Sequence, residues 1–300
     1  MINVTLKQLN YFIALAETQS FSAAAHRCSV SQPALSMQIK NLEDEFHQAL
    51  IEKGTRPLII TAFGELILER ARAIVAQVED MNDLMRAADK EAVGALRLGI
   101  IPTIAPYFLP QAIAALSQSM KTLQLRFEEA MTAVLIEALS EGRIDAAIVA
   151  LPISEPDLAE IPLFEEEFVL VRPKSDAHLP VPDPEHLKTM RLLLLQEGHC
   201  FRDQALDVCN ISDPTPLKLM EGSSLTTLVQ MVSSGLGLTL IPQMAVGIEK
   251  RAANVDIQRF SKARPKRTVG LIYRTTSPLG SNLSSIAKVL VAAHDAADKA

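Results

Sequence analysis

Two of the chain's three cysteines, Cys200 and Cys209, stand nine positions apart in the stretch GHCFRDQALDVC, residues 198–209. A thiol oxidised to a sulfenic acid condenses with a second thiol to a disulfide, so such a pair suits a redox switch. The elements around the pair decide what each thiol can do. Arg191 to Leu195 is a short apolar run of strand type, Gln196-Glu197-Gly198 is a turn, and Phe201, Ala205, Leu206 and Cys209 then recur at helical spacing. Arg202, Asp203, Gln204 and Asp207 fall on the wet side. Cys200 therefore begins a helix beside His199 and Arg202, where free amide N–H groups and positive charge favour a reactive thiolate. Cys209 lies on the apolar face at the far end. Nine residues of helix separate the two by roughly 13 Å, whereas a disulfide needs its Cα atoms within about 7 Å. A bridge thus requires the helix to unwind, which turns oxidation into refolding. Two unrelated buried cysteines are the competing account, because free Cys is among the most buried residue types, and spacing alone does not separate the two.

Three hundred residues suggest two domains, and 48% hydrophobic with 21% charged residues is the composition of an ordinary globular protein. No apolar run approaches the roughly 18 residues of a membrane span, and Lys7 and Glu17 sit where a signal peptide needs an apolar core, so a cytoplasmic protein is expected. In that reducing compartment a disulfide is transient and regulatory. Six scattered His and no paired Cys spacing lead to no expected metal site and no cofactor. A net charge of −6 points to no polyanion partner.

Helical spacing of Leu6, Leu9, Phe12, Ile13 and Ala16 predicts a first helix, and the small residues from Phe21 to Ala25 predict a short second one. Ser31 is a good N-cap for a third, with Pro33 in its first turn and a core stripe of Leu35, Ile39, Leu42 and Phe46. Pro33, Ser36, Met37 and Lys40 then face outward, with Gln32 at the edge, as in a helix that reads a major groove. A turn at Gly54–Pro57 and a strand at Leu58–Thr61 complete a winged helix-turn-helix over residues 1–61. Here Lys7, Arg27, Lys40, Lys53 and Arg56 balance Glu17, Glu43, Asp44, Glu45 and Glu52, so phosphate affinity rests on the placement of Lys40, Lys53 and Arg56. From 62 to 88, Ile67, Ala71, Ile74, Val78, Met81 and Met85 step by fours and threes, the seam of a two-stranded coiled coil, with packing on its own domain as the alternative. Residues 89–94 read as a hinge.

Beyond the hinge, strand-like runs at Leu96–Ile101, Leu123–Phe127 and Ile144–Leu151 alternate with helices from Thr103 and Thr132, predicting an α/β domain with a largely parallel sheet. Further strands are expected at Glu167–Val171, Arg191–Leu195, Leu217–Met220, Leu238–Ile241 and Thr268–Tyr273. Open α/β sheets bind ligands at the carboxyl ends of strands, where Thr103 and Thr132 stand; N-capping is their alternative role.

Phe21-Ser22-Ala23-Ala24-Ala25, the run Val30 to Ile39, Leu42-Glu43, and Thr61 with Gly64 resemble the N-terminal signature of LysR-type transcriptional regulators. Ile51-Glu52-Lys53 departs from the family's usual Phe, variable residue and Arg, leaving Lys53 to replace the arginine. The resemblance implies base contacts by Gln32, Pro33 and Ser36 to a pseudo-palindromic double-stranded operator, and RNA polymerase as a partner. It also implies a homodimer that pairs into a dimer of dimers. It further implies that residues 95–300 form a two-lobed domain like a periplasmic binding protein, crossing near Leu163 and returning near Arg267. Lobe I would be 95–163 with 268–300, and lobe II 164–267.

Within the family, the second domain resembles hydrogen-peroxide-sensing members. The matching residues are Gly198-His199-Cys200, Arg202 to Ala205, Cys209, Ile101-Pro102-Thr103 with Pro106-Tyr107 and Leu109-Pro110, Glu129-Ala130 with Thr132, and Arg267-Thr268 with Gly270-Leu271 and Tyr273-Arg274. This likeness implies Cys200 as the peroxide-reacting thiol and Cys209 as the resolving one. Thr103, Thr132, His199, Asp203 and Arg267 would bind or polarise peroxide, and glutaredoxin or thioredoxin would act as reductant. Two other accounts compete: a LysR-type regulator holding a small organic effector in the interlobe cleft, and a thiol peroxidase. Against the enzyme stand the lack of a Cys-x-x-Cys motif and the slow cycling of a thiol that must refold a helix at each turnover.

Overall fold

The computed structural model of the chain describes residues 3–52, 58–88, 95–211, 220–261 and 264–298. Its first part holds α1 (Leu6–Thr18), α2 (Phe21–Arg27), α3 (Gln32–Phe46) and the long α4 (Ala62–Ala88). Thr5 and Gln8 form a capping box at α1, Ser20 caps α2, and Ser31 caps α3 through the amide of Ala34. Leu35, Ile39 and Leu42 are buried as expected. Phe46 is half-buried, edge-on to Phe63 with ring centroids 6.0 Å apart. The α1 stripe differs from expectation. Leu6 is exposed, whereas Tyr11, Ala14 and Leu15 join Leu9 and Phe12 inside, because α1 packs on both α2 and α3 and needs a wider buried face.

The segment after α3 explains several signature residues. The Glu43 carboxylate accepts the amides of Leu50 (2.8 Å) and Ile51 (3.3 Å), and Thr61 Oγ1 accepts the amide of Gly64 at 2.9 Å while donating to Ala49 O. A Cβ on Gly64 would stand 2.3 Å from Leu50 O, so only glycine permits this approach. The expected wing strand reduces to a single antiparallel bridge, Ile51 to Ile60. Its turn, with Lys53 and Arg56, lies outside the described residues, as does the hinge. Along α4, Phe63, Ile67 and Leu68 pack on the core of this first part, so the expected seam begins with residues that serve their own domain. Ile74 and Met81 are 44% and 64% exposed, and Met85 lies outside the described side chains.

The second part runs β1 (Ala95–Ile100), α5 (Ala105–Ser119), β2 (Gln124–Glu129), α6 (Thr132–Ser140), β3 (Ala146–Leu151), β4 (Leu158–Pro173), β5 (Leu193–Leu195), α7 (Cys200–Val208), β6 (Met220–Gly222), α8 (Leu225–Ser233), β7 (Thr239–Pro242), α9 (Val246–Ala252), β8 (Val255–Arg259), β9 (Lys266–Arg274) and α10 (Gly280–Asp298). The main sheet has the order β2-β1-β3-β9-β4-β7, with β8 also on β4. It is mixed, not largely parallel. β1 pairs parallel with β2 and β3, and β5 with β6, but β9 is antiparallel to both β3 and β4, and β4 to β7 and β8.

These long antiparallel strands connect two hydrophobic cores. One contains Leu98, Phe108, Ile148, Leu163 and Leu271; the other contains Phe168, Leu194, Phe201, Cys209 and Val229. Strand β4 alone supplies Leu163 to the first and Phe168 to the second. A polar tie joins α5 to α8 and α9: Tyr107 O–H and Thr226 O–H both donate to Glu249 Oε1 at 2.8 Å. Burial and this carboxylate push the Tyr107 phenol up.

Candidate functional site

Helix α7 has the predicted amphipathic character. Phe201, Ala205, Leu206 and Cys209 are buried, Asp203 and Asp207 are exposed, and Arg202 and Gln204 lie between. No side chain caps its N-terminus at His199. Its C-terminus is closed by Asn210 at φ 52, with the amide of Asn210 donating to Asp207 O and that of Ile211 to Leu206 O. This is a Schellman motif, and Asn tolerates the left-handed residue it requires. Cys209 is the C-cap of the helix, 0% exposed in the second core, and desolvation pushes its thiol up to about 12. With both cysteines free and the helix intact between them, about nine 1.5 Å rises keep their Cα atoms roughly 13 Å apart.

Cys200, half-buried, opens onto a cavity at the rims of both cores. Ile101, Pro102 and Thr103 follow β1, Met131 and Thr132 follow β2, and Gly198 and His199 follow β5; the space open to the centre of a water-sized molecule is ≈ 10 Å³. That suffices for one such molecule. Thr103 and Thr132 therefore stand together at strand ends, and neither caps a helix. Thr103 Oγ1 accepts from Arg267 Nη1 at 3.0 Å, so its own O–H is left to donate elsewhere. Thr132 Oγ1 is buried with no partner within the protein, which leaves it to bond whatever occupies the cavity.

The electrostatics differ from the sequence expectation. His199 is buried, and desolvation holds its pKa below the usual imidazole range, so at neutral pH it is uncharged. Arg202 turns away and donates to Leu195 O at 2.9 Å and Glu221 Oε1 at 2.6 Å. His199 thus does not supply the positive charge expected beside Cys200, and that of Arg202 is paired with Glu221. Asp203 is exposed in the first turn and does not line the cavity. Arg267 stands behind it: besides Thr103 Oγ1 it donates to Thr103 O at 3.2 Å, to Glu166 Oε2 at 2.9 Å, and lies 5.3 Å from the Phe201 ring centre.

Sequence reasoning missed Glu166 and Met131. The position of Glu166 opposite Arg267 on neighbouring strands is the signal that finds it, once β4 and β9 are paired. Met131 precedes Thr132 and its sulfur rests against Gly198. Among the described residues, no three His, Cys, Asp or Glu side chains are placed to hold a metal ion. On α3, Gln32, Pro33, Ser36, Met37 and Lys40 are all exposed on the face away from Leu35 and Ile39.

Comparison with known proteins agrees with both parts. The family described as the bacterial regulatory helix-turn-helix protein, lysR family, matches residues 6–65, and the LysR substrate binding domain matches residues 89–294. The DNA-binding transcriptional dual regulator OxyR of Escherichia coli K12 is 36% identical over 297 residues, 97% of this chain and 96% of that one. A full-length OxyR cysteine variant from Pseudomonas aeruginosa superposes with a TM-score of 0.75 at 36% identity, covering 96% and 97% of the two chains. A hydrogen-peroxide-bound OxyR cysteine variant from Corynebacterium glutamicum gives 0.68 at 34% identity, covering 98% and 93%. Two matched domains and relatives similar over nearly their whole length lead to one conclusion: the chain belongs to the LysR family of bacterial helix-turn-helix regulators.

Proposed function

We propose that this protein is a DNA-binding transcriptional regulator, not an enzyme, that responds to hydrogen peroxide through reversible Cys200–Cys209 disulfide formation. The observation that carries it is Cys200 beside Thr103, Thr132 and His199 on a cavity sized for one small molecule, with Cys209 buried at the other end of the same helix. The Cys200 thiolate attacks one peroxide oxygen; the S–O bond forms as the O–O bond breaks, the sulfur gives up two electrons, and hydroxide leaves to become water. The Cys209 thiol then displaces water from the sulfenic acid, forming the S–S bond. Unwinding the end of α7 exposes Leu206, at about 1.5–3 kcal/mol for such a side chain, so the helical form is the resting state of the reduced protein. Thr103, Thr132 and neutral His199 bind peroxide, and Arg267 acts through Thr103. Asp203 takes part only once the helix moves. Glutaredoxin or thioredoxin resets the bridge.

On this proposal α3 reads an operator with Gln32, Pro33 and Ser36, while Met37 and Lys40 flank them and Lys53 and Arg56 bind phosphate. Residues 95–163 with 268–300, and 164–267, serve as the two lobes of the sensor, and α4 holds a dimer. A pair of recognition helices on one seam reads two half-sites, and the bound dimers engage RNA polymerase. The test is to add peroxide to the reduced full-length protein, count free thiols and map peptides. Loss of two thiols as a Cys200–Cys209 bridge is expected, with Cys28 still free and an altered footprint on the promoter upstream of its own gene. An unchanged thiol count, or a bridge that includes Cys28, rejects the proposal and favours a small organic effector.

The exposed Ile74 and Met81 make the dimer testable. Ile74→Asp places an unpaired carboxylate in an apolar seam, at several kcal/mol. Sedimentation should show monomer and operator affinity should collapse. A mutant dimer as tight as wild type assigns α4 to packing within its own chain.

A further inference from the structure

The walls of the Cys200 cavity are not equally fixed. Thr103 is buried and pinned by two hydrogen bonds from Arg267, and His199 is buried at the N-terminus of α7. Met131 is different: it is half-buried, unbranched, and reaches from the start of α6 to the turn before α7. Its sulfur lies 2.9 Å from the point where a Cβ on Gly198 would sit, so it rests on bare backbone. Gly198 has φ +95, which L side chains rarely adopt, and any side chain there would meet the sulfur. Gly198 is itself exposed, so Met131 and Gly198 together form the solvent-side rim of the cavity. With that rim in place, only ≈ 10 Å³ is open to the centre of a water-sized molecule.

That size has a chemical consequence for the oxidant. In attack by sulfur on a hydroperoxide ROOH, the terminal oxygen bonds to sulfur as the O–O bond breaks, and RO⁻ leaves to become the alcohol ROH. The R group therefore points away from Cys200, into the walls. When R is hydrogen the leaving group is water-sized; when R is alkyl it needs more than those ≈ 10 Å³, and Met131 is the lining side chain best able to give or withhold the space. We propose that Met131 is a specificity-determining residue, a size gate that restricts the Cys200 cavity to hydrogen peroxide and excludes alkyl hydroperoxides. The proposal rests on Cys200 being the peroxide-reacting thiol.

The test compares the rates at which hydrogen peroxide and tert-butyl hydroperoxide consume the Cys200 thiol of the full-length reduced protein. The wild type is set beside Met131→Ala and Met131→Leu, with circular dichroism and melting to establish folding. Met131→Ala should raise the alkyl-to-hydrogen-peroxide rate ratio about tenfold or more, the scale on which one apolar wall discriminates substrates. Met131→Leu, near in volume but without sulfur, should keep the wild-type ratio. If the alanine variant does not fold, Met131→Val takes its place with the same expected direction. An unchanged ratio in the folded short variant overturns the gate, as does a leucine variant that shifts as far, since sulfur chemistry and not size is then responsible. If hydrogen peroxide does not oxidise Cys200 even in the wild type, the proposed function itself fails, a result distinct from either of these.

Discussion

Cys200→Ser is expected to abolish the response to peroxide altogether, leaving the thiol chemistry with no entry point, whereas Cys209→Ala still reacts and then stops at the sulfenic or an over-oxidised product. The asymmetry follows from the two environments. Cys200 lines the cavity, half-buried, at the uncapped start of α7; Cys209 is wholly buried at its end, a neutral thiol pushed up to about 12. Alanine suits the second site because a serine hydroxyl in that apolar core would itself cost about 1–3 kcal/mol. Wild type should lose amide protection across 201–209 when the bridge forms, since the bridge cannot span an intact helix. The buried thiol also sets a pH dependence. Unwound, Cys209 ionises near the free-thiol range of about 8.5. Folded, it holds its proton up to about 12. The unwound state thus binds fewer protons above the lower value, so α7 loses stability as pH rises between the two, and bridge formation after Cys200 oxidation should quicken in that direction. If Cys209 oxidises first, or the bridge appears with 201–209 still protected, the two environments have been assigned the wrong way round.

What could be read along the chain was whatever depends on neighbours in sequence. The apolar period places Phe201, Ala205, Leu206 and Cys209 on one face, Ser31 caps α3, and Thr103 and Thr132 follow strands; each holds in the structure. What could not be read depends on partners far along the chain. The Glu166–Arg267 pair spans 101 positions, and the stretch that carries Glu166 hides its strand, because Pro162 and three successive glutamates break the apolar run of β4. The charge assigned to His199 failed, and that of Arg202 is paired with Glu221, for the same reason. Burial decides whether an imidazole is charged, and Glu221, brought alongside through β6, decides where the guanidinium turns. The gap between Met131 and Gly198 closes only when α6 and α7 start side by side, and no local pattern announces it.

Glu166→Ala is expected to destabilise the protein by about 3–5 kcal/mol, the penalty of leaving a buried charge without its partner. The side chains of Arg267 and Glu166 are 1% and 3% exposed. Four hydrogen bonds converge on them: Arg267 Nε to Glu166 Oε2, its two terminal nitrogens to Thr103 Oγ1 and O, and the Met244 amide to Glu166 Oε1 at 2.9 Å. The pair thereby links the ends of β1, β7 and β9 to the middle of β4. Such a pair is weak evidence of net stabilisation, since an apolar pair of similar volume often does as well. Glu166→Met with Arg267→Met should accordingly cost much less than the sum of the single changes in a denaturant-unfolding cycle. Its contribution to the proposed chemistry is position. Arg267 donates to the Thr103 hydroxyl oxygen and so leaves the proton of that hydroxyl to donate elsewhere, on this proposal to peroxide in the cavity, and the apolar double variant should recover stability yet oxidise Cys200 slowly. A single Glu166→Ala loss below about 1 kcal/mol, within the range of surface pairs, would mean that solvent reaches Arg267. Full peroxide reactivity in the stable double variant would remove Arg267 from the proposed mechanism and leave Thr103, Thr132 and His199 to bind peroxide unaided.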